Sequence, residues 1–297
     1  MKATIENGPL PVAPDALLWR YVSLPALLLY LDRRLRLPSI LSLQRLDRLE
    51  GMRPWDCVTQ TEGYSQAERK EIWEYFESTL SQNAKEMFRL NRGSEANQRQ
   101  VYDYWHRLVM STRYGLSFFV AGHESIAMWR LYAPQGFAIR TSLHSLNKAL
   151  VNSERTWRIS HMKYWDKSAR IGPDQTNADD QLKSTLRRPF LLKSREYAFE
   201  NEVRLFTVDG HARPNLVVDN VAPEDWIEQI RVSPEVWTED AELLQTLIGA
   251  RVPALKSKIA CSPLVSKSKS GESAWSDCLA EVSQESAENW PAFLHDP

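Results

Sequence analysis

The segment Phe199-Glu200-Asn201-Glu202-Val203-Arg204 sets two carboxylates two residues apart, with an arginine two further on. It opens the apolar run Val203-Arg204-Leu205-Phe206-Thr207-Val208, which reads as a strand. Residues two apart in a strand share a face. Glu200, Glu202 and Arg204 are therefore expected on one side, and Asn201, Val203 and Leu205 on the other. Charges gathered on one sheet face are costly to bury unless they pair or bind something. That makes the segment a site candidate without naming a reaction. Glu202 and Glu200 are the leading catalytic candidates.

A third carboxylate, Glu124, lies in His123-Glu124-Ser125-Ile126-Ala127-Met128-Trp129. A zinc-protease motif would need histidine at position 127, which is Ala127, so no metal site is read here. One reading has Glu124 project into a cleft from the end of a strand at 118–120, with Ser125 and Trp129 beside a ligand. The other makes Glu124 and Ser125 the start of a helix, where an acidic side chain complements the dipole. Arg20 and Tyr21, in Trp19-Arg20-Tyr21, form a ligand-binding candidate because a guanidinium fork suits phosphate or carboxylate. Pairing of Arg20 with the glutamates near 200 is the competing reading. Arg140, Thr141 and Ser142 end a strand; their polar groups suit a ligand, and a hydroxyl there also suits the N-cap of a helix at 143–151. The basic residues Lys183, Arg187, Arg188, Lys193 and Arg195 read as a solvated helix face rather than a phosphate site.

These side chains need a scaffold, and the apolar periodicity supplies one. Residues 1–16, rich in proline and small residues, read as a flexible arm. A strand at 17–23 leads into a helix over 24–35 that Pro38 stops. Ser65 and Glu68 form a capping-box pattern at the head of a helix carrying Ile72, Phe76, Leu80, Met87 and Leu90. A second helix follows from 95 to 114, with Val101, Tyr104, Trp105, Leu108 and Val109 on its apolar face. Together 64–114 forms a helical hairpin inserted in the domain. Beyond Gly115 short apolar runs at 116–120, 136–140, 157–164, 203–208, 216–218 and 226–232 read as strands. Helices are expected at 124–133, 143–151, 178–190 and 239–249. The fold class is α+β: a mainly antiparallel mixed sheet with flanking helices, one domain over 17–261. Residues 262–297 are serine-rich and polar and read as a flexible tail.

Composition excludes several classes. Lys and Arg number 37 against 38 Asp and Glu, a net charge of −1, so no global field draws the chain to nucleic acid or anionic membrane. Three cysteines at distant positions, Cys57, Cys261 and Cys278, form neither a disulfide framework nor a zinc knuckle. No signal-peptide pattern opens the chain, and no apolar block approaches the about 20 residues of a membrane span. A soluble, cytoplasmic protein is expected. The 11 glycines show neither Rossmann nor P-loop spacing, and no Gly-x-Ser-x-Gly elbow is present.

Leu18-Trp19-Arg20-Tyr21, Glu124-Ser125 with Met128-Trp129 and Leu131-Tyr132, Gly136-Phe137-Ala138-Ile139-Arg140-Thr141 and Phe199-Glu200-Asn201-Glu202-Val203-Arg204-Leu205 run in this order. With Val232-Ser233-Pro234, the pattern resembles a widespread bacterial family of unknown function over about residues 17–260. The chain departs from that family at Leu46-Asp47-Arg48-Leu49-Glu50, where a proline is usual, and at Phe118-Phe119, where Cys-Trp or Cys-Phe is common. A more distant similarity is to the arginine-class ADP-ribosyltransferases, whose site residues run Arg, Ser-x-Ser, Glu-x-Glu. Arg20, Thr141-Ser142 and Glu200-x-Glu202 stand in that order. The resemblance implies that Arg20 grips the phosphates of NAD as substrate and that the hydroxyls hold the nicotinamide ribose. It further implies that Glu202 stabilises an oxocarbenium-like state while Glu200 orients the acceptor.

Two classes of function follow. The first is an enzyme acting on a nucleotide or nucleic acid, sharpest as ADP-ribosyl transfer, with a metal-dependent nuclease as a variant. The second is a non-catalytic binding or regulatory module, in a toxin or phage-defence setting, that meets a protein partner through the 64–114 hairpin.

Overall fold

The computed structural model describes residues 5–44, 95–165, 188–236 and 238–264, with single positions between 65 and 86. Strand β1 (Glu6–Asn7) and strand β2 (Leu17–Val22) precede helix α1 (Leu24–Leu31), strand β3 (Leu35–Pro38) and helix α2 (Ile40–Gln44). Helix α3 (Glu95–Thr112) runs directly into β4 (Arg113–Val120), followed by α4 (Ile126–Tyr132), β5 (Phe137–Ser142) and α5 (Leu143–Leu150). Then come β6 (Trp157–His161), β7 (Lys163–Trp165), β8 (Leu192–Ser194) and a 3-10 turn, Arg195–Glu200. The order closes with β9 (Glu202–Val208), β10 (Asn215–Val218), α6 (Pro223–Trp226), β11 (Gln229–Val232), α7 (Thr238–Arg251) and β12 (Ile259–Cys261). The class is α+β.

Eight strands form the main sheet in the order β1-β6-β9-β4-β2-β5-β11-β12. Every pairing from β6 to β11 is antiparallel, and the two outermost pairs are parallel. Alternation assigns the two faces. Leu18 and Val22 of β2, Leu116 and Phe118 of β4, and Val203 and Leu205 of β9 enter the large core, with Leu27 and Tyr30 of α1. Trp19, Trp129 and Ala138 cluster on the opposite face, with Tyr21 and Phe119 against them, and Phe206 joins Ile40, Val109 and Leu191 there. Both faces of the central strands are therefore covered, which is why β9 is buried along almost its whole length.

Several expectations are revised. Residues 5–16 are not a loose arm throughout: β1 pairs with β6, and Val12 is buried. The helix expected over 24–35 stops at Leu31, because Arg33 adopts φ 61° and turns the chain back. Leu35 and Leu37 then alternate inward as β3, paired with β10. The strand expected at 157–164 breaks at Met162, whose N–H donates to the Glu202 carbonyl, and β7 pairs with β8 in a separate small sheet. Among the described side chains of α3, His106, Val109, Met110 and Thr112 are buried, whereas Tyr104 and Leu108 face outward. The first helix of the expected hairpin, the helix expected at 178–190 as far as residue 187 and the tail beyond 264 lie outside the described residues, single positions apart; Pro189–Leu191 is a 3-10 turn. Among the described residues no helix is long and apolar enough to cross a membrane.

Gly136, at the head of β5, fits for a steric reason. A Cβ there would stand 2.3 Å from the Val22 carbonyl oxygen, so no larger residue allows this approach of β5 to β2.

Candidate functional site

Glu202 opens β9 between β4 and β6, on the face opposite the large core, and is 3 % exposed. Its Oε1 accepts from Arg204 Nε at 3.0 Å and Nη2 at 2.6 Å, and from the Ser117 hydroxyl at 2.5 Å. Its Oε2 accepts from Lys193 Nζ at 3.2 Å. The Glu202 backbone N–H donates to the Tyr164 hydroxyl at 2.7 Å. Burial alone would raise this carboxyl, but the charges of Arg204 and Lys193 and the bonds from Ser117 and Arg204 outweigh it. They hold the group at about 2. Glu202 is an ionised anchor with its bonding capacity nearly full.

Arg204 is fully buried at 0 % exposure, and its remaining Nη1 donates to the Phe190 carbonyl at 2.7 Å. The room for it comes from Gly115 on β4. A Cβ there would stand 3.2 Å from both Cγ and Cδ of Arg204 and 3.3 Å from Ile40 Cδ1.

Glu200 stands differently. It ends the 3-10 turn rather than extending β9, because Asn201 takes the left-handed conformation at φ 41° and bends the chain between the two glutamates. The Asn201 amide fixes this corner by donating to the Val120 carbonyl at 2.7 Å. The expected common face thus holds for Glu202 and Arg204 but not for Glu200, which reaches the same cluster from the turn. Glu200 Oε2 accepts from Lys193 Nζ at 2.6 Å, and Oε1 accepts from the Tyr132 hydroxyl. Burial pushes its carboxyl above the ordinary value, and the pull of Lys193 and Tyr132 does not fully offset that. The Tyr132 and Tyr164 hydroxyls are likewise raised, chiefly by burial.

Lys193 links the two glutamates. It projects from β8, is 5 % exposed, and has its Nζ 4.7 Å from the Tyr197 ring centroid. Sequence reading placed it on a solvated basic helix face. The available signal was Phe190-Leu191-Leu192 immediately before it, an apolar run ill suited to such a face.

Lys193, Glu200 and Glu202 form the polar end of a cavity of about 280 Å³. Trp19, Tyr21, Phe119, Met128 and Tyr132 make its aromatic and thioether walls. Tyr21 packs edge-on against Trp129, centroids 5.1 Å apart, and its hydroxyl accepts the Ser125 N–H at 2.8 Å. Burial pushes this hydroxyl up to about 12; the Ser125 bond opposes the shift and Glu124 reinforces it.

The other candidates do not converge on this cavity. Arg20 belongs to the lining strand, but alternation with Leu18 and Val22 turns its side chain to the far face. There its Nε donates to the Tyr30 hydroxyl at 2.9 Å and its Nη1 to the Ser117 carbonyl at 2.8 Å. Glu124 is buried behind Tyr21, accepting from the Trp129 indole at 3.0 Å with Arg231 Nε 3.4 Å away. Ser125 caps α4, accepting from the Met128 N–H at 3.4 Å. Arg140 lies 3.8 Å from Glu228, Thr141 is fully buried, and Ser142 caps α5 while donating to Glu228 at 2.5 Å. Glu124, Ser125 and Trp129 thus brace the wall of the site, and Arg140, Thr141 and Ser142 stand apart from it.

Among the described residues no cluster of three or more His, Cys, Asp or Glu is arranged to hold a metal ion. No protein-family model, curated protein or solved structure matches the chain.

Proposed function

We propose that the chain is an enzyme acting on a nucleotide-type substrate, with Glu200 as general acid–base and Lys193 as its electrostatic partner. The observation that carries this reading is the position of the buried Glu200–Lys193 pair, in the wall of an aromatic cavity rather than in a dry core. A carboxylate whose proton affinity burial has raised is a stronger base than one in water. Glu200 takes a proton from a ligand hydroxyl or a water, and the Lys193 ammonium at 2.6 Å stabilises the negative charge that develops. Aromatic walls suit the π-face of a base. Glu202 and Arg204 act through Lys193 by fixing its Nζ, which makes them positioning residues.

ADP-ribosyl transfer is the sharpest form of this proposal, and its support is confined to Glu200 and Glu202 at the cavity. The dinucleotide grip expected of Arg20, and the ribose contacts expected of Thr141 and Ser142, have no geometric support. One observation favours the non-catalytic reading instead. The Glu202–Arg204 pair, with two guanidinium N–H groups on one carboxylate oxygen, lies in a fully buried setting, as a structural ion pair would.

The test is incubation of the protein with a panel of nucleosides, nucleotides and NAD, with products followed by mass spectrometry. Glu200→Gln serves as the control. Turnover that this variant loses while keeping its melting temperature supports the proposal. Absence of both turnover and binding across the panel overturns it.

A further inference from the structure

Resting on the nucleotide reading above, we propose that the cavity accepts the nucleoside part of its substrate and takes no binding energy from phosphate groups. The ligand class is a neutral nucleoside, free or as the uncharged end of a larger molecule whose phosphates remain in solvent.

Among the described lining residues the cations are Arg20 and Lys193. Lys193 Nζ is bound by carboxylates at 2.6 and 3.2 Å, and Arg20 directs its guanidinium across the sheet to Tyr30 and the Ser117 carbonyl. Arg204, the next cation beneath the floor, is fully buried and bound to Glu202 and Phe190. No glycine-rich loop supplies backbone N–H groups in their place. A phosphate drawn into this space would meet the Glu200 and Glu202 carboxylates, and among the described lining residues both cations are already committed, an arrangement that disfavours anions.

The acceptor inventory points the same way. Each Glu200 oxygen accepts one bond, Oε1 from Tyr132 and Oε2 from Lys193. Each has a second lone-pair direction. Two acceptors on one carboxylate match the paired donors of a ribose diol or of an amino-bearing base edge. Such a site disfavours analogues lacking those donors, because the second lone pairs of the buried carboxylate would lose their bonds to water without replacement.

Size agrees. At about 280 Å³ the space falls just below the roughly 300–1,000 Å³ usual for ligand pockets. Base and sugar can enter, whereas a whole dinucleotide cannot be enclosed.

The experiment is isothermal titration of the full-length chain with adenosine, guanosine, cytidine and uridine, each compared with its 5′-mono- and triphosphate, at 50 and 250 mM salt. We expect at least one nucleoside to bind within about threefold of its phosphorylated forms, with little change between the two salt concentrations. Glu200→Ala should weaken that binding at least tenfold. A triphosphate that binds more than tenfold tighter than its nucleoside, with affinity falling steeply in salt, overturns this inference and leaves the nucleotide-enzyme reading standing. No heat with any of the twelve ligands overturns both.

Discussion

Replacing Arg204 by methionine tests the cluster where its energetics are most exposed. The side chain is fully buried, gives two hydrogen bonds to Glu202 and one to the Phe190 carbonyl, and occupies a slot that Gly115 leaves open. Methionine keeps most of the stem volume and removes the charge. Glu202 would then be a buried carboxylate supported by Lys193 and Ser117 only, and the Phe190 carbonyl would lose its donor. Breaking a buried pair from one side costs about 3–5 kcal/mol. Against a total stability of about 5–15 kcal/mol this is a large fraction. At about 2–4 °C per kcal/mol it corresponds to roughly 6–20 °C in melting temperature. Urea unfolding and calorimetry on Arg204→Met, Glu202→Gln and the double variant give the coupling directly. Because the double variant removes both charges, it should be less destabilised than the sum of the singles by about 1–3 kcal/mol. A loss below about 1 kcal/mol for Arg204→Met, or additivity within about 0.5 kcal/mol, would refute the claim that the pair is desolvated and mutually dependent.

Glu202 binds its proton more weakly in the folded chain, at about 2, than a free carboxylate does. The stability it contributes is therefore complete above about pH 4.5 and is lost as pH falls toward 2, a total of about 3 kcal/mol at about 1.4 kcal/mol per pH unit. Acid unfolding of the wild type should show this slope, and Glu202→Gln should flatten it; identical acid limbs for the two would refute the assignment. Asn201→Val should cost about 1–2 kcal/mol from the left-handed backbone, with more from the lost bond to the Val120 carbonyl. Equal denaturation midpoints for this variant and the wild type would show that the corner is not held as described.

Much of the scaffold was legible because strand alternation is a local property. Val203 and Leu205 against Glu202 and Arg204, and Leu18 and Val22 against Trp19 and Tyr21, can be read directly from period two. The same rule applied to Arg20 would have turned it away from the glutamates, since it shares parity with Leu18 and Val22 across one uninterrupted strand. What was not legible depended on backbone conformation or on chain crossings. Asparagine enters the left-handed region more readily than most residues, but the type alone does not say that Asn201 does so here, and period two therefore reads Glu200 as part of the strand. Ser117 comes to Glu202 from β4, the sheet neighbour of β9, whereas Lys193 and Tyr132 come from β8 in the small sheet and from α4, long-range contacts that local periodicity does not encode. The hydroxyl at 142 suits either a ligand or a helix N-cap, and the structure commits it to the cap of α5 and to Glu228.

The void above Gly115 also constrains how this site can change over successive generations. The Arg204 stem is pinned at its far end by Glu202 and Phe190, so it cannot yield the few tenths of an ångström that an alanine at 115 would demand. Enlarging position 115 first leads through a crowded, unstable intermediate. Shortening position 204 first leads through one with an orphaned carboxylate. A larger residue at 115 fills the space that a shorter side chain at 204 leaves, but it does not restore the partner of Glu202. Lineages that keep the glutamate at 202 should therefore keep both glycine at 115 and arginine at 204, and enlargement at 115 should accompany changes at 202 and 204 together.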